Sequence, residues 1–361
     1  MGMAVMHIVF RADASVSLGT GHVMRCLVLA DMVSHESISI HFVSRSMPNP
    51  LQEQMKSKHI SLYLTGETVE EIDLDWKSDA DLFINYVDNN IPGKPILIVD
   101  HYGLDSKWEK AVRPWVNKII VIDDLANRRH DCDSLLDQNY YRNAHSRYAE
   151  LVPPHAKLWL GPAYSLVREQ FREESPYATV RNRVQRVLVT YGGSDPTGET
   201  IKALLAAQNG SFAPITFDIV VGGSYPEPDK IRTICENMHN VNYHFNVSNM
   251  AKLMVQADVA LGAGGSTQWE RCRLGVPTIL TVVADNQREC AGELHEAGVV
   301  NNLGWHDNVT PEKIKLALLE LMNSPDLLRG MSTSSFHISY RSRADTVHPF
   351  VTEIHKLNRE E

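Results

Sequence analysis

A glycine-containing loop followed at once by a histidine carries the residue types best suited to chemistry in this sequence. The stretch RADASVSLGTGHVMRCLVLAD, residues 11–31, follows the apolar run MHIVF. Gly19 and Gly21 permit a tight turn and a close approach of the backbone to a ligand. Apolar residues then recur at helical spacing, which predicts a helix beginning near Gly21 or His22. Because a helix start favours an anion, His22 is predicted to lie beside a phosphate site.

Two interpretations of His22 stay open on these residues alone. Many strand-to-helix turns contain glycines, so His22 is explained equally well as a surface residue of an ordinary turn. The alternative is proton transfer, to which imidazole is suited because it is largely neutral near pH 7. Arg11 and Asp13 follow the preceding apolar run, and we expect both in the same site, with Asp13 orienting His22.

A second set of polar side chains follows two predicted strands in the carboxyl-terminal half. One strand ends in GAGGST, which places Ser266 and Thr267 at a helix start suited to an anion. Glu270, one turn later, can accept hydrogen bonds from both hydroxyls of a ribose. Asn286 and Gln287 follow the next strand, TILTVV. A helix-dipole charge explains Glu270 alone and a loop cap explains Asn286 alone, but their joint position favours a binding site.

Three further strand-end stretches supply candidates that ordinary turn chemistry also explains. These are Gly192 and Gly193 in YGGSDPTG, His101 and Tyr102 after Asp100 in IVDHYG, and Tyr164 and Arg168 in GPAYSLVREQF. Ser194 or Thr197 is the expected cap of the helix that follows YGG.

The elements that must position these residues alternate between strand and helix, twice along the chain. Such alternation predicts parallel sheets covered on both faces, with ligands bound beyond the carboxyl ends of the strands. The polar stretch REESPYATVRNR, residues 172–183, reads as a linker. We therefore predict an α/β protein with two doubly wound Rossmann-like domains facing a cleft, over residues 1–175 and 176–340. A last helix within 341–361 is expected to pack back on the first domain.

Composition excludes several classes of protein. The 361 residues carry 35 basic and 44 acidic side chains, a net charge of −9, which argues against nucleic acid as the main partner. The five cysteines are scattered and form no CxxC pair, so neither a disulfide framework nor a zinc site is expected. A signal peptide and a membrane span are also not expected, because the apolar runs are too short. The predicted compartment is the cytoplasm, and the predicted state is a monomer or weak oligomer.

The same motifs resemble a known family. GAGGST followed by Glu270 and the strand GVPTI resembles the carboxyl-terminal domain of MurG-like GT-B nucleotide-sugar transferases. The opening stretch, with IVDHYG, GPAYSLVREQF, YGGSDPTG and DNQRECA, is similar to the PseG-type UDP-sugar hydrolases of pseudaminic acid biosynthesis, over most of residues 6–300.

This resemblance implies a GT-B scaffold that uses water as acceptor. It implies cleavage of the C1–O bond of a UDP-linked 2,4-diacetamido-2,4,6-trideoxy sugar with inversion, with His22 as base and no metal or other cofactor. Tyr102 and Asn286 complete the predicted catalytic set. The predicted substrate- and UDP-binding residues are Arg11, Asp13, Gly19, Gly21, His101, Tyr164, Arg168, Gly192, Gly193, Ser266, Thr267, Glu270 and Gln287.

Three other functions remain as alternatives. A GT-B glycosyltransferase of surface polysaccharide synthesis would pass the sugar to an acceptor rather than to water. A nucleotide-sugar-binding protein without turnover would not need a base at residue 22. An NAD-dependent enzyme fits the strand–helix alternation, but the sequence lacks the full G-x-G-x-x-G fingerprint with its acidic residue about twenty positions on.

Overall fold

Parallel strands dominate the structure, because the apolar runs of the sequence are too continuous to leave one face of a sheet in water. The computed structural model describes residues 5–15, 19–66, 75–339 and 348–357. It divides into two compact units. The first runs to Leu166 and includes the last helix, and the second runs from Val167 to the end of the preceding helix.

The first unit alternates strands with helices. Its strands are β1 (Met6–Ala12), β2 (Ile38–Ser44), β3 (Ser61–Leu64), β4 (Ile96–Asp100), β5 (Lys118–Ile122), β6 (Ser134–Asp137) and β7 (Lys157–Leu160). Its helices are α1 (Gly21–Val33), α2 (Asn49–Ser57), α3 (Trp76–Asn90), α4 (Ser106–Val112), α5 (Ala144–Tyr148) and, at the far end of the chain, α14 (Pro349–Leu357).

The second unit repeats the same alternation. Its strands are β8 (Arg186–Thr190), β9 (Thr216–Val221), β10 (Val241–Phe245), β11 (Val259–Ala263), β12 (Thr278–Val282) and β13 (Val300–Trp305). Its helices are α6 (Glu169–Glu174), α7 (Glu199–Ala207), α8 (Pro228–Glu236), α9 (Met250–Gln256), α10 (Thr267–Arg273), α11 (Arg288–Glu296), α12 (Pro311–Asn323) and α13 (Pro325–Ser339).

Both sheets are parallel and reverse their strand order once. Among the described residues the first sheet runs β3-β2-β1-β4-β5-β6-β7 and the second runs β10-β9-β8-β11-β12-β13. The reversals fall between β1 and β4 and between β8 and β11, and ligands of such sheets bind at the carboxyl ends of the strands at these points. The predicted α/β class with two doubly wound sheets is confirmed.

The core of the first unit is closed by the end of the chain. Phe350, Val351 and Ile354 of α14 are almost completely buried in the same apolar cluster as β1 and α1. Trp159 of β7 meets the Phe350 ring edge-on, with ring centroids 5.6 Å apart. Residues 341–347 and 358–361 of the predicted terminal segment lie outside the described residues.

The second unit begins earlier than the sequence analysis placed it. Residues 167–175 pack with the second unit because Gln170 of α6 bonds to the backbone of Ser248 and Ala251. The polar stretch that reads as a linker is also anchored. Arg181 is buried, and its guanidinium donates to the carbonyls of Val255 and Ala257.

Three strands were not predicted from the sequence. β6 and β7 have four residues each, and β13 carries polar residues and a glycine between its apolar ends, so none shows a long apolar run. Among the described residues, no helix combines the length and the apolar character that a bilayer crossing requires.

A buried hydrogen-bonded chain of side chains lies at the carboxyl ends of β5 and β6. The Tyr148 hydroxyl lies 3.1 Å from Asp123 Oδ2 and 3.0 Å from Asp137 Oδ2. Arg128 bonds to Asp123, and the pKa of Asp123 is lowered because that guanidinium outweighs burial. Burial raises the pKa of Asp137 to about 7. One hydroxyl proton cannot bond to two carboxylates at once, so in its protonated form Asp137 donates to the Tyr148 oxygen while the Tyr148 hydroxyl donates to Asp123.

The variant Asp137→Asn is expected to fold, and its free energy of unfolding is expected to depend less on pH than that of the wild type. The folded state favours protonated Asp137, so its contribution to stability is present in full below the unfolded-state pKa of about 4 and is lost as the pH rises through about 7. The free energy of unfolding of the variant, relative to wild type, should therefore rise by about 2–3 kcal/mol between pH 5 and pH 8. Urea denaturation at both pH values measures this change. The exposed Asp229 supplies the control D229N. If the free energy of unfolding of D137N, relative to wild type, is the same at both pH values, the assignment is contradicted.

Candidate functional site

His22 is paired with a buried carboxylate at the reversal point of the first sheet. β4 ends at Asp100, and α1 begins at Gly21 after the neighbouring strand β1. His22 Nδ1 lies 2.5 Å from Asp100 Oδ1. The carboxylate is completely buried, whereas the His22 side chain is 15% exposed. A histidine held by a buried carboxylate and open on its other side has the arrangement of a general base with its orienting group.

Arg25, one turn further along α1, keeps Asp100 ionised. Its Nε and Nη2 donate to the two oxygens of Asp100 at 2.5 and 2.6 Å, and its Nη1 donates to Asp124 at 2.9 Å. Burial opposes ionisation of Asp100, but Arg25 and His22 outweigh it and hold the pKa of Asp100 well below its ordinary value. Asp100 therefore accepts the proton on His22 Nδ1, which leaves Nε2 as the nitrogen with the lone pair.

The other face of the imidazole is fixed by Tyr102. The two rings meet edge-on, with centroids 4.4 Å apart. The Tyr102 hydroxyl donates to Asp124 at 2.7 Å, and burial together with Asp124 raises the pKa of Tyr102. Among the described residues His22 Nε2 has no hydrogen-bond partner. Tyr102 thus positions the ring, and its predicted place in the catalytic set stays a prediction.

Asp13 is not the partner of His22, contrary to the expectation from the sequence. Its carboxylate accepts from Arg11 at 2.6 and 3.0 Å, from His101 Nε2 at 3.1 Å and from the Arg45 amide at 2.7 Å. Asp100 takes the expected role because the register of β1 and β4 brings Asp100 level with Ala12, at the strand edge.

The predicted ligand contacts of Arg11, Asp13 and His101 stay predictions, but the structure shows these side chains bonded within the protein. The three side chains are buried and bonded to one another, and Arg11 also bonds to both oxygens of Asp79. The Gly103 amide donates to His101 Nδ1, so both imidazole nitrogens are used within the protein. Through these hydrogen bonds the three residues support the loop after β1.

The remaining predicted residues of the first unit lie in or near loops. Gly19 has φ +76°, a left-handed conformation that favours glycine, and its backbone bridges to Ser15. Gly21 is the exposed first residue of α1. Tyr164 packs edge-on against Trp159, with centroids 5.4 Å apart, at the margin of the core.

Glu270 of the second unit is held by an arginine. Arg168 Nε and Nη2 donate to Glu270 Oε1 and Oε2 at 2.7 and 2.9 Å. The Glu270 side chain is 8% exposed and that of Arg168 is 32% exposed. The structure therefore joins two predicted binding residues, and Arg168 fixes the rotamer of the carboxylate predicted to meet a ribose.

The loops after β11 and β12 are tied together by Gln287. Its Oε1 accepts from the amides of Gly264 and Val283, both at 3.2 Å. Its side-chain amide nitrogen has no partner among the described residues, so this NH₂ is the group available to a ligand. Ser266 precedes α10 and Thr267 begins it, as predicted. Asn286, half-buried, lies one residue before Gln287.

The loop after β8 differs from the prediction in its cap. Asp195, not Ser194 or Thr197, accepts from the amides of Glu199 and Thr200 at 3.0 and 2.8 Å. Since a carboxylate already occupies the start of α7, an anion there would meet repulsion. Gly192, with φ +88°, and Gly193 are exposed, so their contribution to ligand binding would come from loop amides.

Sequence reasoning missed Arg25, Asp124 and the pairing of Asp100 with His22. An arginine flanked by the apolar residues of α1 was the available signal, because a buried arginine needs a carboxylate partner. Within the described residues, no group of three or more His, Cys, Asp or Glu side chains is arranged to hold a metal ion.

The class of protein follows from this geometry and from its likeness to known proteins. Residues 186–347 match the model of the glycosyltransferase family 28 C-terminal domain. The structure is similar to MurG of Acinetobacter baumannii, with a TM-score of 0.65 and 13% identity, over 99% of this chain and 100% of that one. This likeness shows a GT-B fold, as predicted.

Two curated proteins are similar to nearly the whole chain. UDP-2,4-diacetamido-2,4,6-trideoxy-β-L-altropyranose hydrolase of Campylobacter jejuni is 28% identical over 300 residues, which cover 81% of this chain and 97% of that protein. Spore coat polysaccharide biosynthesis protein SpsG of Bacillus subtilis is 23% identical over 323 residues, covering 88% and 90%. The resemblance to the PseG-type hydrolase is thus confirmed.

Replacing Arg25 with methionine should strongly destabilise the protein. Arg25 forms ion pairs with the buried Asp100 and Asp124, and removing one partner of a buried ion pair leaves an uncompensated charge. We expect the free energy of unfolding to fall by about 3–5 kcal/mol in R25M. The exposed pair of Lys58 with Asp31 supplies the control, since K58M should cost about 0–1 kcal/mol. Urea denaturation compares the two, and similar losses would contradict the role given to Arg25.

Proposed function

We propose that this protein is an enzyme that processes a UDP-sugar, and that its reaction is hydrolysis. The substrate is a UDP-linked 2,4-diacetamido-2,4,6-trideoxy sugar, and the products are UDP and the free sugar inverted at C1. The observation that carries the proposal is the buried Asp100 carboxylate 2.5 Å from His22 Nδ1, with Nε2 left for a proton. The similarity to the Campylobacter jejuni hydrolase supports the choice of substrate.

The reaction needs a base for water and a stable leaving group. Water donates a proton to His22 Nε2 while its oxygen attacks C1. The C1–O bond breaks, and its electron pair stays on the diphosphate oxygen of UDP. Asp100 stabilises the imidazolium that forms, because it already accepts the Nδ1 proton. Attack opposite the diphosphate gives inversion.

UDP leaves without much help from an acid. A diphosphate is a better leaving group than the sugar alkoxide of ordinary glycosidases, where a second carboxyl group must supply a proton. The residues proposed to bind UDP are those of the second unit. Glu270, fixed by Arg168, accepts from the ribose hydroxyls, and loop amides with the Gln287 NH₂ donate to the diphosphate.

The variant His22→Asn should lose turnover and keep UDP. A positioned base contributes about 10²–10⁴-fold to a rate, so kcat should fall by that factor. The dissociation constant for UDP, measured by calorimetry, should be unchanged because the residues proposed to bind UDP belong to the second unit. The exposed His35 provides the control H35N. A normal kcat in H22N would exclude His22 as the base.

The variant Asp100→Asn should separate positioning from binding. The amide is neutral and cannot stabilise the imidazolium, so kcat should fall by about 10²-fold or more, while KM changes little. The exposed Asp31, also on α1, supplies the control D31N. Equal rates in D100N and wild type would show that Asp100 is only structural.

A glycosyltransferase of polysaccharide synthesis is the second candidate. It is favoured by the similarity to the spore coat polysaccharide biosynthesis protein SpsG. Incubation of the enzyme with the UDP-sugar alone distinguishes the two reactions. Rapid release of UDP together with the free sugar, followed by NMR of the first-formed anomer, supports hydrolysis. Slow release that an added acceptor accelerates supports transfer.

A further inference from the structure

A fully buried arginine without an acidic partner lies in the second unit. Arg271 of α10 has a relative exposure of 0%. Its Nη2 donates to the Ala263 carbonyl at 2.5 Å and to Gln268 Oε1 at 2.7 Å. Its Nε has no hydrogen-bond partner in the structure, and no carboxylate of the described residues forms an ion pair with it. Its hydrogen-bond partners are therefore only neutral oxygen atoms.

The neighbouring carboxylate, Glu270, forms no ion pair with Arg271. Glu270 precedes Arg271 in sequence, but both its oxygens are bonded to Arg168. Burial lowers the pKa of Arg271 to about 10, which still leaves the guanidinium charged at neutral pH. Taking an unpaired cation out of water is costly, and buried arginines are ordinarily paired with acids. Arg271 thus keeps a buried positive charge that forms no ion pair with any described residue.

The guanidinium lies at the reversal point of the second sheet. It bonds to Ala263, the last residue of β11, directly before the loop that contains Gly264 and Gly265. The preceding residue, Gly262, is level with Thr190, the last residue of β8 before the Gly192–Gly193 loop. A Cβ atom on Gly262 would overlap the Arg271 guanidinium and crowd the Thr190 carbonyl. The absence of a side chain at residue 262 therefore makes room for this charge between the bases of the two glycine loops.

We propose that Arg271 is the fixed cation that balances the diphosphate of the nucleotide bound at these two loops. The proposal rests on the proposed function and adds the residue that supplies the charge. Arg271 acts through its field and needs no direct contact, because a charge in a low-dielectric interior is screened little. The same field stabilises the negative charge that develops on the diphosphate as the sugar leaves.

A merely structural Arg271, which anchors α10 on β11, makes a different prediction. Loss of an anchor would weaken every ligand of the second unit by the same factor. Loss of a charge weakens a ligand in proportion to the ligand's own charge. Uridine, UMP and UDP form a series of increasing negative charge on one nucleoside, so their affinities separate the two roles.

The experiment is calorimetric titration of the full-length protein with uridine, UMP and UDP. In R271M the affinity for UDP should fall by about tenfold or more and that for UMP by less, while uridine changes by less than about threefold. R271K keeps the charge with fewer hydrogen bonds and should retain the wild-type ratio of UDP to uridine affinity. R329M removes an exposed arginine elsewhere in this unit and should leave all three affinities unchanged.

A second variant covers the case in which R271M does not fold. G262A keeps every charge but forces the guanidinium away from the loop bases, so it should also lower the affinity for UDP more than that for uridine. Equal factors for the three ligands in R271M, or in G262A where R271M does not fold, would overturn the role of Arg271. Absence of UDP binding by the wild-type protein would instead overturn the proposed function, so the two failures are distinguishable.

Discussion

The first unit depends on the hydrogen bonds that the buried Asp100 carboxylate accepts. It is completely buried, and its two oxygens hold Arg25 by two short hydrogen bonds and His22 by one. An isolated charge at that depth would protonate, but the adjacent guanidinium keeps it ionised. The same carboxylate therefore fixes the start of α1, the tautomer of His22 and the position of Arg25. Stability and the proposed chemistry cannot be altered separately at this residue.

The two units differ in how their buried arginines are compensated. In the first unit Arg11, Arg25 and Arg128 each bond to one or two buried aspartates, so each of these guanidinium groups is compensated by at least one carboxylate. In the second unit Arg168 pairs with Glu270 and Arg186 with Asp218, whereas the buried Arg181 and Arg271 bond to neutral oxygen atoms. This asymmetry matches the proposed division of labour, in which one unit moves a proton and the other receives a dianionic or more highly charged group.

The sequence predicted the architecture well because its apolar runs are long and end in recognisable loops. It placed His22, Glu270 and Gln287 at strand ends because parallel strands present their carboxyl ends at one edge. It could not predict the partners of these residues. Asp13 is nearer to His22 in sequence than Asp100, but only the register of β1 with β4 decides which carboxylate faces the imidazole. Short or polar strands such as β6 and β13 lack the long apolar run from which the other strands were predicted.

The position of α14 has a consequence for synthesis on the ribosome. Phe350, Val351 and Ile354 belong to the core of the first unit, whose other elements end at Leu166. The first unit therefore emerges from the ribosome with part of its apolar surface uncovered. The helix α14, which covers this surface, is translated only after the whole second unit. The amino-terminal core therefore becomes complete only after the second unit has been translated, although its strands are made first.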